Sequence, residues 1–504
     1  MIPFSRRNMM ETSSRRGIGI VDIGLVVLLA GCVSLWVFFR GPVRLQYPDS
    51  MEYAQIARSL ANGNGYRTET LWLSRLSLSG AEPDTWVREG APDVRRPPLY
   101  VWWEALGFKI FGVSDRCAIG SSVFWFSLSA ILLFVLAARL VGKGAAWWAV
   151  ILYLLDRESL ILSTSGLTEP LFAALLLVLA IALTRRESLR RDLFIGTIMA
   201  LLQLTRHNGF TLILPLFLAF GFGRRVFTPR RLLCLAGPLV LTLLVLGIRN
   251  GRLTGIYSPV GINGWSIING TDNEPAGGPL HPDEKGLYPD HYAERSISIP
   301  ESGVRMIMSH PKQFLWKWLS NLAKNLESAF SACSPIVWIL LIPGMISIGN
   351  RSGGRELSRF IVGSVLVAVI FFSLGEFEGR RFYVPFTPLL IALAAGSFSR
   401  RREEERPALL SPRWGWILLP VAAVYGVVYL AGLEGNQRGE DLHRMEQRIK
   451  ETSPEGGLFL SDVPWAVGWF GNRTTAWLPW SPEDIPRIRK VEVSGIVLSS
   501  YVLN

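Results

Sequence analysis

The run IVDIGLVVLLAGCVSLWVFF, Ile20 to Phe39, decides the fold. A helix needs ~20 apolar residues to cross the hydrocarbon of a bilayer, and this run has that length. A basic start (Arg6, Arg7, Arg15, Arg16) precedes it, and no small-residue cleavage site follows at a fitting position. It therefore reads as a first permanent span, with residues 1–19 as a cytoplasmic tail. Further apolar runs at about 118–138, 144–155, 169–184, 192–205, 209–222, 232–248, 334–349, 360–375, 384–398 and 414–432 extend the count to about eleven.

Composition agrees. The 504 residues are 49% hydrophobic and 18% charged, with mean hydropathy +0.30, a profile of polytopic membrane proteins rather than soluble domains. The net charge of +12 comes from arginines clustered between apolar runs, so it reflects topology and not a nucleic-acid partner. Cys32, Cys117, Cys234 and Cys333 lie in or beside apolar segments without metal-ligand spacing, so they indicate neither a disulfide framework nor a zinc site.

Alternate loops carry the basic excess: Arg139/Lys143, Arg185/Arg186/Arg190/Arg191, Arg224/Arg225/Arg230/Arg231, Arg351/Arg355/Arg359 and Arg400/Arg401/Arg402. With a cytoplasmic N-terminus these all fall on the inner side of a cell (inner or plasma) membrane. Two long loops, about 40–117 and 249–333, then lie outside, as does the tail 433–504 beyond the 20–432 membrane region. The tail pattern predicts helix 438–451, strand 458–461, a turn around Pro464, strand 474–477, helix 482–489 and strand 494–500. That is a small α/β domain without a Gly-rich phosphate loop, suited to packing or acceptor docking. The stretch 304–330, with Trp316 and Trp318 among Lys312, Lys317 and Lys324, reads as an interfacial helix. The expected fold is thus an all-α polytopic membrane protein with large outer loops and an α/β tail domain, and it shows no internal repeat.

Several spans break their own pattern. One ends in Asp156-Arg157-Glu158, another in Arg206-His207-Asn208-Gly209, and a third in Arg249-Asn250. Glu376, Glu378, Arg380, Arg381 and Tyr383 precede the run at 384–398. Any one of these groups can snorkel to the headgroups. All the breaks point to the outer side, however, and ionisable groups at that depth are costly unless they face protein or a water-filled cavity. The set implies a polar cavity in the outer leaflet.

Next to it stands Tyr47-Pro48-Asp49-Ser50-Met51-Glu52-Tyr53, opening a helix that runs from Ser50 to Ala61. Asp49 and Glu52 have capping-box spacing, which accounts for both acids without chemistry. Arg95-Arg96-Pro97-Pro98-Leu99-Tyr100 holds two guanidinium groups on a proline-pinned extended stretch, suited to a phosphate or simply to headgroup anchoring. Thr168-Glu169-Pro170-Leu171-Phe172 places an acid at a helix start, where the dipole alone favours it.

Together these motifs resemble the polytopic C-type (GT-C) glycosyltransferases. The resemblance rests on Asp49 after the first span, the Arg-Pro-Pro-Leu-Tyr segment, Thr-Glu-Pro-Leu-Phe, Leu204-Thr205-Arg206, and Arg381-Phe382-Tyr383-Val384-Pro385-Phe386-Thr387-Pro388, in that order over about 20–400. The tail's Asp462-Val463-Pro464-Trp465 looks like the outer domain of related bacterial members. The nearest groups are the bacterial relatives of protein O-mannosyltransferases and lipid A aminoarabinose transferases. The resemblance implies transfer of a hexosyl or pentosyl unit from a polyprenyl-phosphate donor to a glycan, lipid or protein hydroxyl, with inversion. Asp49 is then the base, and Arg96, Arg206 and Arg381 hold the leaving phosphate. Glu52, Asp156, Glu158, Arg249 and Tyr383 are candidates for sugar or acceptor binding. Arginines suffice for a departing monophosphate, so no metal site is expected and a divalent cation is only an added option. The family's proline-rich segment often begins with Lys where this chain has Arg96, and Glu69 to Asp93 looks like an insertion, which leaves the acceptor undefined. The rival readings are a transporter of a lipid-linked or anionic substrate and a noncatalytic lipid-binding member of the same fold.

Overall fold

The structure is a computed structural model and describes residues 18–71, 83–220, 228–255, 257–260, 308, 311–349, 354–375, 379–398, 424, 426–431, 447–449, 451, 457–477 and 493–498. Along the chain run α1 (Ile20–Arg40), α2 (Pro48–Ala61), β1 (Arg67–Thr68), β2 (Thr70–Leu71), α3 (Pro83–Glu89), β3 (Ala91–Pro92), α4 (Pro98–Phe111) and α5 (Asp115–Val141). Then come α6 (Lys143–Leu154), α7 (Arg157–Ser163), α8 (Glu169–Leu183), α9 (Leu189–Thr205), α10 (Ile213–Phe220) and α11 (Pro229–Thr254). They are followed by α12 (Pro311–Ser331), α13 (Pro335–Gly349), α14 (Gly354–Ser373), α15 (Thr387–Ala394), β4 (Leu458–Ser461), α16 (Pro464–Gly471), β5 (Thr475–Trp477) and β6 (Val493–Val497).

The chain is a mostly helical, multi-pass bundle centred on α5, which packs on α1, α4, α6, α8 and α15. Among the described residues five helices are long and apolar enough to cross a membrane: α1, α5, α11, α14 and the stretch Arg380–Phe398. The pair α12 and α13, bent by 88°, adds a sixth if it forms one span. The amphipathic α12 therefore lies nearly perpendicular to the apolar helix it leads into. Three other expected spans are the 12-residue α6, the 15-residue α8 and the 17-residue α9. Each is shorter than a straight crossing, and α6 and α9 end next to charged residues, at Asp156 and Arg206. The expected run 414–432 falls largely outside the described residues, as do Glu376, Glu378, helix 482–489 and most of helix 438–451.

The tail differs from expectation in two ways. The predicted turn around Pro464 is the helix α16: Pro464 supplies a pre-set φ at its first position, and Asn472 closes it in the left-handed conformation, φ 52°. The tail's strands also do not form a sheet by themselves. The four-stranded parallel sheet runs β2-β5-β4-β6, so its edge strand β2 comes from the first long loop. In register terms, Thr70 and Leu71 lie beside Thr475 and Ala476.

Candidate active site

The site begins with a helix that is not capped as its spacing predicts. α2 starts at Pro48, two residues earlier than a capping box would place it, with Tyr47 as the flanking residue and no side-chain cap bond. Asp49 is thus inside the first turn, and both its carboxylate oxygens are turned elsewhere. Arg96 Nη2 donates to Oδ1 at 2.6 Å, and Arg381 Nη2 donates to Oδ2 at 2.7 Å.

Local chemistry aims Arg96. The Asp93 side chain accepts the backbone N–H of Arg95 at 3.0 Å and of Arg96 at 2.7 Å, a turn in which an aspartate mimics the backbone. Tyr66 donates its hydroxyl to the Arg96 carbonyl at 2.8 Å, and His207 Nε2 lies 2.5 Å from the Arg95 carbonyl. Pro98, the first residue of α4, then fixes the chain direction. The Arg96 guanidinium lies over the Tyr53 ring at 5.1 Å and donates Nε to Glu52 Oε2 at 2.5 Å, with Nη2 also against that oxygen. Glu52 and Asp49, one turn apart on α2, therefore share one guanidinium.

Two helix breaks supply the other arginines. Arg206 ends α9 in an extended conformation, φ −148°, ψ 138°. The following turn folds back so closely that a Cβ on Gly209 would fall 2.5 Å from the Gln203 nitrogen, which explains the glycine. Arg206 Nη1 pairs with Glu169 at 2.7 Å. Glu169 is buried at the start of α8, so it is a direct partner and more than an acid placed for the dipole. Arg381 enters from a single 3₁₀ turn, Arg380–Phe382, that follows Gly379 at φ 136°. Arg206 and Arg381 lie on the same Phe382 ring at 5.5 and 5.0 Å.

The other expected residues fall into place differently. Arg249 donates to the Asp93 carbonyl at 2.8 Å and lies over Tyr66 at 5.1 Å, beside the Arg95–Arg96 turn. Glu158 pairs with Arg157 and with Arg380, next door to Arg381. Asp156 is a buried pin: it caps α7 through the Ser159 N–H and accepts the Ser334 N–H. Burial pushes its carboxyl up to about 6. Tyr383 is buried and donates to Asn325 at 2.6 Å. Asp156 and Tyr383 thus have both their polar ends committed to packing between helices, away from the arginine group.

The electrostatics follow from the pairing. Burial by itself would raise the Asp49 pKa, but the Arg96 and Arg381 charges outweigh it and hold the carboxyl far below the usual carboxylate range. Burial opposes the Arg96 charge, and Asp49 and Glu52 more than restore it. Among the described residues, Arg95, Arg96, Arg206 and Arg381 pair here with Asp49, Glu52 and Glu169, four guanidinium groups against three carboxylates, while the Asp93 carboxylate and the Arg249 guanidinium bind backbone groups beside them. Among the described residues, no three His, Cys, Asp or Glu side chains gather as a metal-binding group.

Comparison with known proteins bears on the fold. Residues 95–248, which include Arg96 and Arg206, match the family described as dolichyl-phosphate-mannose-protein mannosyltransferase. Comparison with curated protein sequences found no match. Among solved structures, ArnT from Cupriavidus metallidurans bound to undecaprenyl phosphate superposes with TM-score 0.57 at 14% identity, covering 94% of this chain and 89% of that one. Its apo state gives the same score and identity, with 94% and 90% covered. The oligosaccharyltransferase AglB from Archaeoglobus fulgidus gives 0.48 at 13% identity, over 90% of this chain and 64% of that one. At such identities the likeness is one of fold. The chain has the GT-C glycosyltransferase fold in its ArnT-like form, with a protein-mannosyltransferase-like segment at residues 95–248, in its first half.

Proposed function

We propose that this membrane protein transfers a sugar from a polyprenyl-phosphate donor to an acceptor hydroxyl at the extracytoplasmic face, with Asp49 as the base. The observation that carries this reading is the double grip on Asp49, one oxygen to Arg96 and the other to Arg381. A carboxylate so held is a weak base. The same two guanidinium groups are suited to a phosphate, and the cluster carries one more guanidinium than carboxylate, matching a singly charged phosphodiester donor.

Donor arrival draws Arg96 and Arg381 from Asp49 onto the phosphate. The carboxylate, relieved of two cations, regains basicity when its substrate is in place. The acceptor oxygen then forms a bond to the anomeric carbon while its proton passes to Asp49. The bond from that carbon to the phosphate oxygen breaks, and polyprenyl phosphate leaves on the arginines with inversion at the sugar. Arg206 stands by through the shared Phe382 ring, tethered by Glu169. Glu52 keeps Arg96 oriented, while Glu158 and Arg249 border the space for sugar or acceptor.

Purified protein in liposomes, supplied with polyprenyl-phosphate sugars and candidate acceptors, tests the reading. Wild-type transfer lost in Asp49→Asn supports it; equal transfer by the variant ends it. Movement of the donor across the bilayer without transfer would favour a transporter instead.

A further inference from the structure

We propose that the tail helix α16 positions the Asp49 helix, acting through Arg58 and Gln55 of α2. The inference rests on the Asp49 reading above and extends it to a part of the chain far from the reacting atoms.

α2 needs outside support. It is 14 residues long and short helices are marginal on their own. It has no side-chain cap at its start. Beyond the Asp49 and Glu52 ion pairs, Gln55 and Arg58 anchor it to α16 and to Glu69 and Thr70 at the start of β2. Gln55, fully buried, donates Nε2 to the Trp465 carbonyl at 2.8 Å and accepts from the Thr70 hydroxyl at 3.1 Å. Arg58 donates to the carbonyls of Trp469 at 2.9 Å and Gly468 at 2.8 Å, pairs with Glu69 at 2.5 Å, and lies over the Trp469 ring at 4.9 Å.

Those carbonyls belong to the last turn of α16, where helical partners run out and the dipole is negative. Arg58 therefore caps α16 from another element. The contact is built for close approach: a Cβ at Gly468 would lie 2.7 Å from the Gln55 amide nitrogen. On its other side Trp469 donates to Asp115 of α5 at 2.6 Å and stacks with Phe108 of α4 at 6.0 Å between centroids. The tail thus wedges α2 against α4, the helix that Arg96 leads into.

Glu52 and Gln55 are one turn apart, so the latch and the ion pairs set the rotation of one short helix together. If the latch opens, α2 turns or slides, and the Asp49–Arg96–Arg381 geometry goes with it. A misplacement of about 1 Å can cost about 100-fold in rate.

Arg58→Ala and Arg58→Lys in the full-length protein test this, with Gln55→Met as a second variant of similar volume. Two readouts are taken: donor turnover, and amide hydrogen exchange across residues 49–56 and across α5. The expected result for Arg58→Ala is a kcat lower by about 10- to 100-fold with donor KM within about twofold. Exchange should be faster across 49–56 but unchanged in α5, and Arg58→Lys should recover part of both. Unchanged exchange across 49–56 in Arg58→Ala and Gln55→Met overturns the proposal, whether or not the wild type transfers sugar. Where Arg58→Ala loosens α5 as well, Gln55→Met decides by the same criteria. Absence of transfer in the wild type counts against the Asp49 reading only.

Discussion

The helices α9 and α11 run side by side and carry a charged cluster at each end, and the two clusters are built differently. At the start of α9, Asp192 is fully buried and takes Arg191 at 3.0 Å and Arg231 at 2.6 Å, while Glu187 takes the far side of Arg231 at 2.8 Å. Two acids meet two arginines, the helix is capped by Ser188, and nothing breaks it. At the other end, about 25 Å away for a 17-residue helix, Arg206 and Arg249 border a group in which arginines outnumber acids. Helices stop there, and Asp49 keeps 26% of its side chain exposed. A balanced cluster built around a fully buried acid holds helices together. An unbalanced, partly open one has capacity left for an anion.

Substitutions can break that contrast. The largest effect is expected from Asp49→Asn against Asp192→Asn. The first should lower turnover by about 10²- to 10⁴-fold with the protein still folded. The second should leave turnover in the surviving protein unchanged but lower stability by about 3–5 kcal/mol, the cost of stranding buried charge. Turnover assays beside thermal unfolding in detergent separate the two.

The pH dependence should be next in size. Asp49, held below the usual carboxylate range by its arginines, stays ionised in the free protein well into acid. The profile of kcat/KM, which reports the free protein, should therefore show no acid limb in the ordinary carboxylate range. On the proposed mechanism the arginines of the donor complex hold the phosphate, so an acid limb should appear in kcat alone. The same limb in both profiles would mean that Asp49 is not released by the donor. Glu52→Gln, which removes a charge-assisted hydrogen bond from Arg96, should raise donor KM by about tenfold with a smaller change in kcat. Steady-state titration of the donor checks this.

Glu104 on α4 is a useful third case, since it belongs to neither cluster. It is fully buried, neither of its carboxyl oxygens has a hydrogen-bond partner among the described residues, and burial raises its pKa well above the usual value. A folded-state pKa above the unfolded one means that the folded protein binds the extra proton, so stability falls as pH rises past the unfolded value. Glu104→Met should therefore stabilise the protein by about 1–3 kcal/mol at neutral pH, with a smaller gain near pH 4. Melting curves at the two pH values measure the difference.

Much of this was readable before folding. Charged breaks at Asp156, Arg206 and Arg381 marked where helices end, and Asp49, Arg96, Arg206 and Arg381 do come together. The spacing of Asp49 and Glu52 misled, because Pro48 starts the helix two residues early and both acids turn toward Arg96. Glu169 was legible only as a helix-start acid, since its partner lies on another helix. Nothing local distinguished Asp156 and Tyr383, which pack between helices, from Glu158 and Arg249, which lie beside the arginine group.

Sequence by itself determined the membrane class, the order of the apolar helices and the inventory of charges at their breaks. These depend on run length and on neighbours a few residues apart, which is where the cost of burying polar backbone and charge acts. Tertiary structure alone decided the partners. Arg381 reaches Asp49 across 332 positions, Arg58 reaches Trp469 across 411, and β2 joins a sheet whose other strands begin at Leu458. Such pairings follow from how helices close on one another, and no local pattern encodes which guanidinium will meet which carboxylate.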